Sequence, residues 1–75
     1  NGVNACFVLY EIGGGVSISA RSMGAVNVQI IMEALGGGGH LTMAAVQMKD
    51  IVMENARQKL LAAIDQYFQD SGQNQ

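Results

Sequence analysis

The chain has 75 residues, is 49% hydrophobic and carries a formal net charge of −2. That length supports one small domain, and its four cationic side chains, Arg21, Lys49, Arg57 and Lys59, form no basic stripe able to grip a long nucleic-acid backbone. A single cysteine, Cys6, excludes an internal disulfide and a cysteine-built metal site, and no apolar run approaches the ~18 residues of a membrane span.

Ala5 to Ile12 is a near-continuous apolar run of strand length, which predicts a strand buried on both faces. Gly13-Gly14-Gly15 marks a turn, and Val16 to Arg21 then alternates. Val16, Ile18 and Ala20 point one way; Ser17, Ser19 and Arg21 point the other. Two such runs about a glycine turn predict a β-hairpin. Asn27 suits a helix N-cap, and Val28, Ile31, Met32 and Leu35 fall on one helical face. Gly36 stops that helix, and the run Gly36 to Gly39 leads into His40. Leu41 to Ala45 predicts a short helical turn, and Val46 to Ile51 a third strand, with Val46 and Met48 inward and Gln47 and Lys49 outward. Met53 to Phe68 predicts the longest helix, its apolar stripe formed by Met53, Ala56, Leu60, Leu61, Ile64, Tyr67 and Phe68. Residues 69–75 are polar and read as a frayed tail.

The expected fold is therefore α/β in the α+β sense: a small mixed β-sheet with a hairpin, a Gly-rich GGGGH loop between helices, and a long C-terminal helix packed on the sheet. One domain spans 1–75, with its core at 5–68. The chain opens Asn1-Gly2 without a methionine, so a piece of a longer protein is expected. The lone cysteine and the lack of a visible signal peptide suit a reducing, intracellular setting.

The glycine run is the least ordinary feature. Ordering successive glycines is entropically costly, and backbone N–H groups left free in such a loop bind anions well. A mobile linker is the plainer reading of the same run. Arg21, on a strand face with Ser17 and Ser19, suits a bidentate grip on a phosphate. The plainer reading there is a surface arginine paired with Glu11 or Glu33. His40 has no Cys or His partner at ligand spacing, and the six acidic residues are scattered, so no metal site is expected. No Walker ending and no nucleophile elbow is present. The methionines read as core fillers, except that Met43 lies beside the Gly-His loop and could touch a base. Such a chain binds something anionic and lacks the means to cleave it.

The stretch Ser19-Ala20-Arg21-Ser22, with Gly24, Asn27-Val28, Gly36-Gly37-Gly38-Gly39-His40 and Ala44-Ala45 at these spacings, resembles the DHH-associated C-terminal (DHHA1-type) domain of the DHH phosphoesterases over about residues 5 to 68. That family includes the RecJ nucleases, the nano-RNases and the GdpP-type cyclic-di-AMP phosphodiesterases. The resemblance implies a two-domain bacterial enzyme, whose separate DHH domain carries the Asp-His-His motif and two manganese ions. This domain would bind no cofactor, hold no metal and be inactive alone. Arg21 and Ser22 would meet a phosphate, Gly37, Gly38 and Gly39 would let substrate approach the backbone, and His40 would contact the scissile phosphate or its neighbour. Asn27 would support the loop or the ligand.

Leu41, Thr42 and Met43 separate His40 from Ala44-Ala45, and Ala44-Ala45-Val46-Gln47 looks like the GdpP-type version, although Met43 stands where a small polar residue is expected. The implied function is the substrate-binding half of a manganese-dependent cyclic-di-AMP phosphodiesterase, a hydrolase. The alternatives are the same role toward short oligonucleotides or pAp, or a non-catalytic nucleotide-binding module. The expected partners are the DHH domain of the same chain and a cyclic dinucleotide or short oligonucleotide, with homodimerisation open. The implied location is cytoplasmic, on a protein anchored in the cell membrane.

Overall fold

The computed structural model describes residues 4–72. Along the chain run β1 (Ala5–Ile12), β2 (Gly15–Ser22), α1 (Val28–Ala34), β3 (Gly38–Gly39), β4 (Met43–Met48) and α2 (Met53–Asp70). The four strands form one sheet in the order β1-β2-β4-β3.

The hairpin closes as its glycines require. Ile12 pairs with Gly15, leaving Gly13 and Gly14 as a two-residue turn with φ of 50° and 84°. Positive φ at both turn positions is the geometry that matches strand twist, and glycine adopts it without strain. β2 then occupies the centre. Its inward residues Val16, Ile18 and Ala20 face Met48, Val46 and Ala44 of β4 in register. Both helices cover this one face: Val28, Ile31 and Met32 of α1 and Ala56 and Leu60 of α2 join the same buried cluster. Phe7 and Leu9 of β1 are packed against it, partly buried.

The α/β class, the hairpin and the long C-terminal helix on the sheet are as expected. Other details differ. Every strand pair is antiparallel, so the sheet is not mixed. β1 is an edge strand, half-buried on one face at Ala5, Phe7 and Leu9; its other face leaves Val8, Tyr10 and Ile12 exposed. The expected helical turn at Leu41 to Ala45 is instead a tight turn followed by β4, which begins at Met43 and ends at Met48. Pairing with β2 supplies backbone partners that a single helical turn cannot, and it overrides the helix preference of Ala44 and Ala45. The glycine run consequently connects a helix to a strand rather than two helices, and Gly38–Gly39 is itself an edge strand. In α2, Leu61 points to solvent, off the buried stripe. The helix continues past Phe68 to Asp70, and positions 73–75 of the expected tail lie outside the described residues.

Candidate functional site

The sheet has one covered face and one open face, and the register assigns side chains to each. Residues directly opposite one another across a ladder project to the same side. Cys6 pairs with Arg21, and Arg21 pairs with Met43. Met43 in turn exchanges both backbone hydrogen bonds with His40, at 2.6 and 3.3 Å. Cys6, Arg21, Met43 and His40 therefore form one row across the open face. With strands spaced ~4.8 Å apart, the Arg21 and His40 backbones stand about 10 Å from each other, with Met43 between. The next row contains Val8, Ser19, Ala45 and Gly38. From Ser19 to Gly38 its residues are small, so it makes a flat floor behind Arg21, Met43 and His40. A cleft of about 320 Å³ lies there, bordered by Ser19, Arg21, Gly39, Met43 and Ala45.

Arg21 is exposed and makes no ion pair; the only one among the described residues joins Arg57 to Glu54 at 2.9 Å on α2. Its guanidinium is accordingly available to an anion, and the pairing with Glu11 or Glu33 is not formed. Ser22 accepts a hydrogen bond from the Gly24 N–H through Oγ at 2.9 Å, leaving its hydroxyl proton for another acceptor.

Asn27 caps α1. Its Oδ1 accepts from the Gln29 N–H at 3.0 Å, so its NH₂ group is what it can offer a ligand. The Asn27 backbone N–H donates to the Tyr67 hydroxyl at 2.9 Å, a bond spanning 40 positions of sequence. The cap is also tied to the turn after His40: Val28 N–H donates to the Leu41 carbonyl at 3.1 Å, and Ser22 N–H to the Thr42 carbonyl at 3.0 Å. Arg21, Ser22, Asn27 and His40 are thus brought to one end of the sheet by backbone bonds.

The glycine run is not an open cradle of free amides. Gly36 N–H donates to Glu33 O at 3.1 Å, Gly37 N–H to Met32 O at 2.8 Å, and His40 N–H to Met43 O. A Cβ on Gly37 would overlap the Ala45 carbonyl oxygen and lie 2.5 Å from Val46 Cβ. A Cβ on Gly39, where φ is 148°, would lie 2.5 Å from Ala44 Cα. Those two glycines are required by strand packing. Gly38 meets nothing within 4 Å and opens onto the floor row.

Tyr67 was legible in the sequence only as part of an apolar stripe; its hydroxyl's partner lies on a distant loop that no spacing reveals. Tyr10, exposed on the same open face, also escaped the motif reading; Gln47, the last residue of the Ala44-Ala45-Val46-Gln47 stretch, is exposed there too. The Ser17 hydroxyl, and after it Ser19, hold the Tyr10 phenol below its usual pKa of 10.0. Among the described residues no three His, Cys, Asp or Glu side chains gather where a metal ion could be held. No helix among them is long and apolar enough to cross a membrane.

Residues 1–70 match the DHHA1 domain family. The chain is 57% identical over 70 residues to the cyclic-di-AMP phosphodiesterase GdpP of Geobacillus thermodenitrificans, covering 92% of this chain and 11% of that protein. It is 52% identical over 68 residues to the cyclic-di-AMP phosphodiesterase PdeA of Listeria monocytogenes, covering 89% and 10%. It is 36% identical over 58 residues to the bifunctional oligoribonuclease and PAP phosphatase NrnA of Thermus thermophilus, covering 77% and 18%. The chain spans about a tenth of the length of the first two relatives.

Proposed function

Because the chain belongs to the DHHA1 domain family, we propose that it is the substrate-binding part of a cyclic-di-AMP phosphodiesterase. The observation that carries this reading is the row Arg21, Met43, His40 beside a floor of small residues. Arg21 offers a planar fork of donors to one phosphate, and His40 a ring N–H to the same phosphate or its neighbour. Ser22 and Asn27 stand at the same end of the sheet, but alternation turns Ser22 away from the Arg21 face and Asn27 caps a helix on the covered face, so each would meet a ligand only around the end of the sheet. Ser19, Ala45 and Gly38 let the ligand lie against the sheet.

A ligand with few phosphates suits a surface with few cations, which favours a cyclic dinucleotide over a long strand. The residues of this chain provide grip and orientation. Bond cleavage belongs in this reading to a DHH domain elsewhere in the protein, where two manganese ions would sit. The same reading places the domain in the cytoplasm, on a protein anchored in the membrane by other segments. The likeness to NrnA supports a second reading, the same role toward short oligonucleotides.

The test is manganese-dependent hydrolysis by the full-length protein of cyclic di-AMP, cyclic di-GMP and a dinucleotide RNA. Preferred cleavage of cyclic di-AMP, slowed at least tenfold by Arg21→Ala and by His40→Ala, is the expected result. Preferred cleavage of RNA moves the assignment to the second reading. Indifference to both substitutions removes the site.

A further inference from the structure

The open face does not end at the small-residue floor. The row beyond it contains Tyr10, Ser17 and Gln47, paired in register. Ser17 is only 4% exposed, although it lies on the open side of the sheet, whereas Tyr10 is 46% exposed and Gln47 is exposed. Across the ladder Tyr10 lies directly beside Ser17 and diagonal to Ser19, and its half-exposed ring projects from the open face. Gln47 stands two strands away, about 10 Å from Tyr10, with a carboxamide that both donates and accepts. Ser17 and Arg21 are four positions apart on β2, about 13 Å along the strand. A ligand whose phosphate meets Arg21 and which lies along the floor therefore brings its far end to Tyr10 and Gln47. In a nucleotide that far end is the base.

We propose that Tyr10 and Gln47 form the base-recognition end of the site, Tyr10 stacking on a purine and Gln47 hydrogen-bonding to the purine's edge. This rests on the reading of Arg21 and His40 as the phosphate end. Aromatic faces on open antiparallel sheets stack bases whatever their identity, whereas a carboxamide distinguishes the edge of adenine from that of guanine. The two residues thus divide the work: Tyr10 supplies affinity and Gln47 supplies choice.

The full-length protein tests this with three phosphodiesters: cyclic di-AMP, cyclic di-GMP and bis(p-nitrophenyl) phosphate, which has no purine. Tyr10→Ala is expected to raise KM for cyclic di-AMP about five- to a hundredfold, with kcat and the rate on bis(p-nitrophenyl) phosphate unchanged. Tyr10→Phe keeps the ring and stays within about twofold of the unsubstituted protein. Gln47→Ala narrows the ratio of kcat/KM between cyclic di-AMP and cyclic di-GMP. An unchanged KM in Tyr10→Ala, or equal slowing on all three phosphodiesters, overturns the proposal. Should the unsubstituted protein leave cyclic di-AMP intact, the phosphodiesterase reading fails separately. Equilibrium dialysis of AMP against the unsubstituted and Tyr10→Ala proteins then decides the base site: weaker binding in the variant upholds it, equal binding overturns it.

Discussion

Ser22 donates its backbone N–H to the carbonyl oxygen of Thr42 at 3.0 Å, joining the last residue of β2 to the turn that follows His40. One residue of β2 before this bond is Arg21; two residues of the turn before it is His40. The arginine and the histidine, 19 positions apart in sequence, are therefore held by short backbone paths across Met43. These bonds fix where the two exposed side chains leave the backbone, so the spacing between them is set before a ligand arrives.

If both groups grip one phosphate, their effects are not independent. Arg21→Ala and His40→Ala are each expected to cost at least tenfold in kcat/KM, about 1.4 kcal/mol. The double variant is expected to lose less than the product of the two, because residues serving one group couple. A double-mutant cycle on cyclic di-AMP hydrolysis measures the coupling; strict additivity would place the two side chains on separate parts of the ligand.

Asn27 anchors the other side of this end. Removing a helix cap costs about 0.5–2 kcal/mol, and α1 has only seven residues with no acidic side chain in its first turn to help. Asn27→Ala is expected to lower stability by about 1 kcal/mol, read as a shift of the urea midpoint. Asn27→Asp keeps the acceptor for Gln29 N–H and is expected to recover the stability. It replaces the NH₂ donor with a negative charge, so it is not expected to recover substrate affinity.

Much of this architecture was legible from side-chain pattern alone. The Ala5–Ile12 strand, the glycine turn, the alternating β2, the Asn27 cap and the long α2 all announce themselves locally, through periodicity or turn chemistry. What escaped depends on pairing between distant segments. Ala44 and Ala45 favour a helix in isolation and become strand only because β2 offers partners. The apolar character of β1 reads as two-sided burial, since Val8, Tyr10 and Ile12 carry no mark that their face is open. The motif around Arg21 and His40 was visible in sequence, but its arrangement as a row, with a small-residue floor beside it, exists only in the register.

The bond from Asn27 N–H to Tyr67 ties the C-terminal helix to the same end of the sheet. Tyr67 stands edge-on to Phe68, ring centroids 5.2 Å apart and planes at 74°, a contact that a phenylalanine at 67 can also make. Tyr67→Phe deletes only the acceptor and leaves a part-buried N–H without a partner, a loss of about 1–3 kcal/mol. Thermal unfolding is expected to show it. Amide exchange is expected to speed up around Asn27 and Leu41 while the β1–β2 hairpin is unaffected; uniform acceleration across the chain would mean the bond has no local role.

Tyr10 provides a pH signature of the open face. With its pKa held below 10.0 by Ser17 first and Ser19 second, the phenolate is favoured in the folded state. A depressed folded pKa adds stability only as the phenol ionises, so the contribution is present above pH 10, shrinks as pH falls through the folded value and is absent at neutral pH. The absorbance difference at tyrosinate wavelengths between the unsubstituted protein and Tyr10→Phe is expected to titrate below pH 10. Ser17→Ala is expected to move that titration up; a titration unmoved by the substitution would show that the hydroxyl does not act on the phenol.

The glycines give the sharpest separation of fold from binding, because adjacent positions face different surroundings. Gly37→Ala drives a methyl into the Ala45 carbonyl and the Val46 side chain, and Gly39→Ala meets Ala44 at a φ that side chains rarely adopt. Both variants are expected to lose β3 pairing and several kcal/mol of stability (~1–3 for the clash alone). Gly38→Ala places its methyl in open space above the floor. It is expected to unfold like the unsubstituted protein, yet to raise KM for cyclic di-AMP several-fold, because the methyl occupies volume the ligand needs. Urea unfolding and steady-state hydrolysis of the full-length protein separate the cases. A Gly38→Ala variant with unchanged KM would mean that the ligand does not lie against this part of the sheet.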